Sequence, residues 1–129
     1  MVADGGPGVI LVVEDHPTLR DTLVLALSRA GYHVHSAGTP REAIDCFHGH
    51  ASEVDLLLVD CGLGCASGRE LASELRLERP SLRVLYVSGA PEHLPARESI
   101  GPCEACLIKP FGSQALMMEI ERLLPARAS

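Results

Sequence analysis

Aromatic and basic residues are scarce in this chain, and both shortages restrict what it can bind. Phe, Trp and Tyr make up 3% of the 129 residues, and tryptophan is absent, so a platform for stacking nucleic-acid bases is missing. The 11 lysine and arginine residues are scattered and are outnumbered by 17 acidic residues, which gives a formal net charge of −6. Because nucleic-acid binding relies on basic side chains that neutralise phosphates, we expect no direct contact with nucleic acid.

The chain also lacks a long hydrophobic run, a basic leader and a regular cysteine pattern. No apolar stretch reaches the roughly 18 residues that a membrane-spanning helix needs, and the first residues lack the basic segment of a secretion signal. Five cysteines at irregular spacing argue against a disulfide framework. We therefore expect a cytoplasmic protein without a membrane segment. The six histidines lack the spacing of metal ligands, and we expect no metal role for them.

What the chain does contain is a set of short aliphatic runs, each followed by a charged or hydroxyl residue. The runs are 9–13, 56–59, 82–87 and 106–108, and the residues that follow them are Glu14 with Asp15, Asp60, Ser88 and Lys109. Such runs are typical of parallel strands buried on both faces, and ligands bind at the carboxyl ends of these strands. If the strands are neighbours, three carboxylates, a hydroxyl and an ammonium meet at one edge, which favours a cation and phosphoryl site.

Strand-like and helix-like segments alternate five times along the chain. The pattern predicts strands at 9–13, 32–36, 54–59, 82–87 and 105–108, and helices at about 16–30, 40–49, 68–78, 92–100 and 111–124. Residues 61–67 are expected to form a loop. Pro95 falls within the fourth predicted helix, which we expect to be short and irregular.

Five such units predict an α/β fold, a single doubly wound, flavodoxin-like parallel sheet with five helices. Its strand order, 2-1-3-4-5, places the first and third strands side by side, so Glu14 and Asp15 lie next to Asp60. One domain is expected over residues 8–125, with flexible termini at 1–7 and 126–129.

Four motifs in this order resemble those of the response-regulator receiver domain, the phospho-accepting half of two-component signalling. They are Val-Val-Glu-Asp-His-Pro at 12–17, Leu-Leu-Val-Asp at 57–60 with Gly68 eight residues later, Tyr-Val-Ser-Gly at 86–89 and Lys-Pro-Phe at 109–111. The similarity covers residues 9–124, and each motif alone is weak while the four together at strand ends are specific. The segments 67–71 and 83–89 are similar to the receivers of hybrid histidine kinases in particular.

The resemblance implies a magnesium site. Glu14, Asp15 and Asp60 would hold Mg²⁺ together with the backbone carbonyl of Gly62, in line with the preference of this hard ion for oxygen ligands. Carboxylates crowded in this way repel each other, so without the metal the proton affinity of at least one of them should rise.

The resemblance also implies roles in phosphoryl transfer and its readout. Asp60 would accept the phosphoryl group, Lys109 would pair with it, and Ser88 would be the hydroxyl that moves onto it. Pro110, usually preceded by a cis bond in this family, would hold the lysine. The face formed by the fourth helix, fifth strand and fifth helix would shift in response, and it is also a candidate homodimer surface.

The implied partner is a histidine kinase or a histidine phosphotransfer domain, and the protein would catalyse its own phosphorylation and dephosphorylation without being a conventional enzyme. The alternative is an unphosphorylated, receiver-like interaction domain. A stand-alone regulator and the excised receiver of a hybrid kinase both fit, and the kinase, output and oligomeric state stay open.

Three positions depart from the family pattern. Cys106 stands where an aromatic residue is usual, Gly64 replaces a usual proline, and Pro95 interrupts the fourth helix. All three affect loops or the readout face, so we expect a complete site with an atypical output.

Overall fold

Five strands form one parallel sheet in the structure, a computed structural model that describes residues 8–50, 53–63 and 65–124. The strands are β1 (Val9–Val13), β2 (His33–Ala37), β3 (Leu56–Asp60), β4 (Arg83–Ser88) and β5 (Glu104–Ile108). Their order is β2-β1-β3-β4-β5, and every pairing is parallel. The predicted doubly wound sheet is confirmed. The predicted flexible termini, 1–7 and 126–129, lie outside the described residues.

The helices begin and end at residues whose side chains or backbone suit those places. They are α1 (Pro17–Arg29), α2 (Pro40–His50), α3 (Cys65–Glu78) and α4 (Ser113–Leu123). Thr39 Oγ1 accepts the Glu42 backbone N–H at 3.1 Å, and Glu42 Oε1 accepts the Gly38 N–H at 2.8 Å, which satisfies one donor in the first turn of α2 and one before the helix. Gly31 follows α1 with a φ of 102°, a backbone angle that glycine adopts without strain.

The described residues contain four α-helices, so the prediction of five is wrong. Two 3₁₀ turns, Pro91–His93 and Arg97–Ser99, replace the fourth predicted helix. Pro95 has no backbone N–H, and its ring would clash with the carbonyl four residues earlier in an α-helix. It also disfavours the helical conformation for Leu94, which is extended with φ −87° and ψ 151°.

The loop predicted at 61–67 is shorter than expected, because Cys61–Leu63 is a 3₁₀ turn and α3 begins at Cys65. Gly64, which replaces the usual proline, lies outside the described residues.

Apolar side chains cover both faces of the sheet in two clusters. One cluster joins Leu11, Leu57 and Val84 of the strands to Phe47 of α2 and Leu75 of α3. The other joins the alternate strand residues to α1 and α4, including Ile10, Leu58, Leu27 and Ile120. Nearly every strand side chain of β1, β3 and β4 is therefore buried, which makes the sheet a rigid base for residues at its edge. In the described ranges no helix combines the length and apolarity needed to cross a bilayer.

Replacing Phe47 by alanine should lower the free energy of unfolding by about 3–5 kcal/mol, because it leaves a cavity under α2. Phe47 is fully buried, whereas Met118 on α4 is 64% exposed. Met118→Ala is the control and should change stability by less than about 0.5 kcal/mol. Urea denaturation of both variants tests this, and equal effects would contradict the described core.

Candidate functional site

Charged residues meet at the carboxyl edge of the sheet, as the strand order predicts. Glu14 follows β1, Asp60 is the last residue of β3 and Lys109 follows β5. Glu14 and Asp60 are 1% and 5% exposed. Because β1 and β3 are hydrogen-bonded neighbours, their ends bring the two acids together. We call Glu14, Asp15, Asp60 and Lys109 the acidic site.

The ammonium group of Lys109, the only lysine in the chain, bridges two buried carboxylates. Its Nζ lies 2.8 Å from Asp60 Oδ2 and 3.1 Å from Glu14 Oε1. The Lys109 backbone N–H donates to the Ser88 carbonyl at 2.8 Å, which ties the residue after β5 to the end of β4. The cation thus comes from a strand two positions away from β3, and it balances part of the negative charge there.

Backbone N–H groups also donate to both acids. The Gly62 N–H donates to Asp60 Oδ1 at 2.7 Å, and the His16 N–H donates to Glu14 Oε2 at 3.1 Å. A side chain on Gly62 would place its Cβ 3.1 Å from Asp60 Oδ1, so glycine lets the backbone lie close to the carboxylate. Asp60 therefore accepts a backbone hydrogen bond at one carboxylate oxygen and a hydrogen bond from Lys109 at the other.

Burial and charge act in opposite directions on the acidic site. Burial raises the pKa of Glu14; the His16 N–H and Lys109 offset part of this, and the Asp60 carboxylate raises it further. Burial alone would lower the pKa of Lys109, but its hydrogen bonds to Asp60 and Glu14 and their charges raise it. The pKa of Glu14 is raised in the predicted direction, but the largest cause is burial, and the neighbouring Asp60 carboxylate contributes less.

Asp15 completes a group of three acids around one small space. Carboxylate oxygens of Glu14, Asp15 and Asp60 all lie within 4.8 Å of one another, and Asp15 is exposed while the other two are buried. Oxygen donors from several carboxylates suit a hard divalent cation such as Mg²⁺. The donor set therefore fits the predicted metal, with Asp15 on the solvent side.

Ser88 lies at the same edge, at the end of β4, and is 1% exposed. Its Oγ accepts the Ala90 backbone N–H at 3.1 Å. It is one residue beyond Val87, the β4 partner of Asp60. The Lys109–Pro110 peptide bond is cis, as the family resemblance implies.

Arg20 also supports this edge, and the sequence analysis missed it. Its Nη1 donates to the Glu14 backbone carbonyl at 3.0 Å. Helical side chains tilt toward the N-terminus, so an arginine in the first turns of α1 can reach back to the acidic loop. The direction of helical side chains, together with the position of Arg20 four residues after His16, could have predicted this contact from the sequence.

Comparison with known proteins assigns the family. The family model for the response regulator receiver domain matches residues 10–121. The chain is 33% identical over 118 residues to the response regulator receiver protein CpdR of Brucella abortus, covering 91% of this chain and 97% of that protein. It is 32% identical over 124 residues to the sensor kinase CckA of Brucella abortus, covering 92% of this chain and 13% of the kinase.

A solved structure is similar as well. The response regulator protein TrrA of Thermotoga maritima, in complex with Mg²⁺ and BeF, matches with a TM-score of 0.75 and 25% identity over 91% of this chain and 99% of that one. The chain belongs to the response regulator receiver domain family. This family is the phosphorylatable module of two-component signalling.

Replacing Lys109 by methionine should destabilise the protein by about 1–3 kcal/mol at neutral pH without divalent cations, because two buried carboxylates lose their cation. The variant should regain stability as the pH falls, since a further raised pKa of Glu14 makes the folded state bind protons more readily. Urea denaturation at neutral and acidic pH measures both effects.

Arg122→Met is the matched control for that change. It removes an exposed pair with Glu119 at 3.2 Å and an exposed hydrogen bond to the Glu104 carbonyl at 3.1 Å, which together should cost at most about 1 kcal/mol. A Lys109→Met loss no larger than this, or one that grows as the pH falls, would contradict the described charge balance.

Proposed function

We propose that this chain is the phospho-accepting receiver module of a two-component phosphorelay, with Asp60 as the acceptor. The observation that carries the proposal is the position of Asp60, almost buried at a strand end, with Lys109 Nζ 2.8 Å from one carboxylate oxygen and the Gly62 N–H 2.7 Å from the other. An ammonium and a backbone donor at this place would offset the charge that a phosphoryl group brings. A cytoplasmic location is part of this proposal.

Mg²⁺ is the proposed cofactor. Glu14, Asp15 and Asp60 would hold it through their carboxylates, whose oxygens lie within 4.8 Å of one another, and Gly62 would add its backbone carbonyl. The bound ion would neutralise charge on the acceptor and on the incoming phosphoryl group. Glu14 is fixed by its bonds to His16 and Lys109, so it supplies a preformed part of this site.

The proposed donor is the phosphohistidine of a histidine kinase or a histidine phosphotransfer domain. An Asp60 carboxylate oxygen would attack phosphorus, the nitrogen–phosphorus bond would break, and the imidazole nitrogen would leave with the electron pair. Covalent transfer to a carboxylate yields an acyl phosphate. The Lys109 ammonium would exchange its ion pair with Asp60 Oδ2 for one with a phosphoryl oxygen. Hydrolysis of the acyl phosphate at the same site would restore the free Asp60 carboxylate without a separate enzyme.

The proposed readout begins at Ser88. Its hydroxyl now accepts the Ala90 N–H, and rotation toward the phosphoryl oxygen would release that donor and pull on the segment after β4. This segment is the pair of 3₁₀ turns, which leave a groove against β5 and α4 lined by Leu94, Ile100 and Cys106 among others. The face formed by the turns, β5 and α4 is the proposed signalling surface and the proposed surface for a homodimer.

Incubation with acetyl phosphate and Mg²⁺ should add one phosphoryl group to the protein, and Asp60→Asn should remove the addition entirely. Intact-protein mass spectrometry with peptide mapping measures this. Asp55→Asn is unsuitable as a control because Asp55 pairs with Arg79 at 3.1 Å; exposed Asp21→Asn should leave phosphorylation unchanged. An unmodified wild-type protein would instead favour the unphosphorylated interaction domain.

Mg²⁺ affinity should fall as the pH drops from neutral to mildly acidic values. The pKa of Glu14 is raised by burial, so this ligand takes up a proton at a higher pH than an ordinary glutamate and then competes with the metal. Isothermal titration calorimetry over a pH series tests this. Glu14→Gln should bind more weakly at neutral pH and depend less on pH, and an unchanged pH dependence in this variant would contradict the assignment.

A further inference from the structure

His35 comes together at the edge of the sheet with His50 and Glu53, which are more than ten residues further along the chain. His35 lies in the middle of β2, His50 is the last residue of α2, and Glu53 follows shortly after it. One ligand atom from each lies within 4.8 Å of the other two. We call these three residues the histidine cluster.

The alternation of β2 explains why His35 points toward α2. Ala37, two residues later on the same face, belongs to the buried cluster that contains Phe47 of α2, whereas Val34 packs against the opposite cluster. His35 is therefore on the α2 side of the sheet. This placement depends on the parallel register of β2 beside β1, which the spacing of histidines in the sequence does not show.

Backbone hydrogen bonds hold Glu53 close to the end of α2. The backbone N–H groups of Glu53 and Val54 donate to the His50 carbonyl at 2.8 Å and 3.1 Å. Glu53 Oε1 lies 3.2 Å from His50 Nδ1. Glu53 is 60% exposed on its side chain, so it can change rotamer at little cost.

The three donors match a zinc-type ion. Imidazole nitrogen and carboxylate oxygen bind Zn²⁺ at about 2.0–2.2 Å, and sites with two histidines and one glutamate keep a fourth position open. In a tetrahedral site such donors are about 3.3 Å apart, so each pair here needs to close by at most about 1.5 Å. Two of the three side chains are half-buried and the third is exposed, which permits this closure.

The imidazole rings of His35 and His50 stack with centroids 4.3 Å apart and planes inclined by 23°. Burial, followed by the neighbouring His50, lowers the pKa of His35. A neutral imidazole keeps a nitrogen lone pair for a metal, and two charged rings at this distance would repel each other.

We propose that His35, His50 and Glu53 bind a divalent zinc-type ion, with water or a ligand from another molecule in the remaining position. This site is separate from the acidic site in place and in chemistry. α2 runs back against the strands, so its end lies toward the amino edge of the sheet, where the Asp55 N–H meets the Val9 carbonyl. Asp60 is at the carboxyl edge and offers only oxygen donors. A bound ion would link β2 to the end of α2 and to Glu53.

The test is titration of the full, tag-free chain with Zn²⁺ by calorimetry and with Co²⁺ by visible absorption, in saturating Mg²⁺ and with thiols kept reduced. We expect one ion per chain and a Co²⁺ spectrum of nitrogen and oxygen ligation. Glu53→Gln and His50→Gln should each weaken binding by at least about tenfold, since even outer partners of metal ligands contribute roughly 10–100-fold. Glu53→Gln changes an exposed side chain, so it tests the site without threatening the fold.

His48→Gln is the matched control. This histidine is also on α2 and also has a glutamate partner, with Nδ1 2.7 Å from Glu78 Oε2, but it lies outside the histidine cluster. Binding should be unchanged in this variant and in Asp60→Asn. No Zn²⁺ binding by the wild-type chain, equal losses in His48→Gln and His50→Gln, loss in Asp60→Asn, or thiolate-to-cobalt absorption bands would each overturn the proposal.

Discussion

The contact on which the carboxyl edge depends is the Lys109 ammonium between Glu14 and Asp60. Two carboxylates almost without solvent exposure would repel each other and would favour protonation if no cation lay between them. The cation comes from the residue after β5, so the acidic site requires β1, β3, β4 and β5 to be in register. A backbone hydrogen bond from Lys109 to Ser88 positions the lysine, and a hydrogen bond from Arg20 to the Glu14 carbonyl positions the residue after β1. Fold and site are thus mutually dependent at this edge.

The sheet and the acidic site follow from strong local patterns. Uninterrupted aliphatic runs such as Leu56–Val59 identify buried parallel strands, and the polar residues after them must meet once the strand order is known. Arg20 and the histidine cluster were missed for a shared reason. Their contacts depend on side-chain direction and on the register of β2, which sequence spacing does not contain. The prediction of a helix at 92–100 was wrong: Pro95 was expected to make it short and irregular, but the segment forms two 3₁₀ turns and no α-helix.

On the readout side of the molecule, the Tyr86 ring is held in the core, whereas the segment between β4 and β5 contains only 3₁₀ turns. Cys106 pairs with Tyr86 across β4 and β5, so a ring is present one strand away from the position where the family usually has one. Tyr86 is buried, its hydroxyl donates to Glu104 Oε2 at 3.2 Å, and Arg76 donates to the same oxygen at 2.6 Å. A ring held in this way is a fixed part of the core. Changes at Ser88 would therefore be transmitted through the backbone of the 3₁₀ turns, where no α-helix stiffens the segment.

The central claim is that Asp60 and its neighbours together bind a phosphoryl group. The most direct measurement is the backbone amide NMR spectrum of the protein titrated with beryllofluoride, a phosphoryl mimic, in the presence of Mg²⁺. We predict saturable shifts for the amides of residues 14–16, 60–62, 88–90 and 109, all absent in Asp60→Asn. A spectrum that does not change, or shifts that persist in Asp60→Asn, would contradict the account.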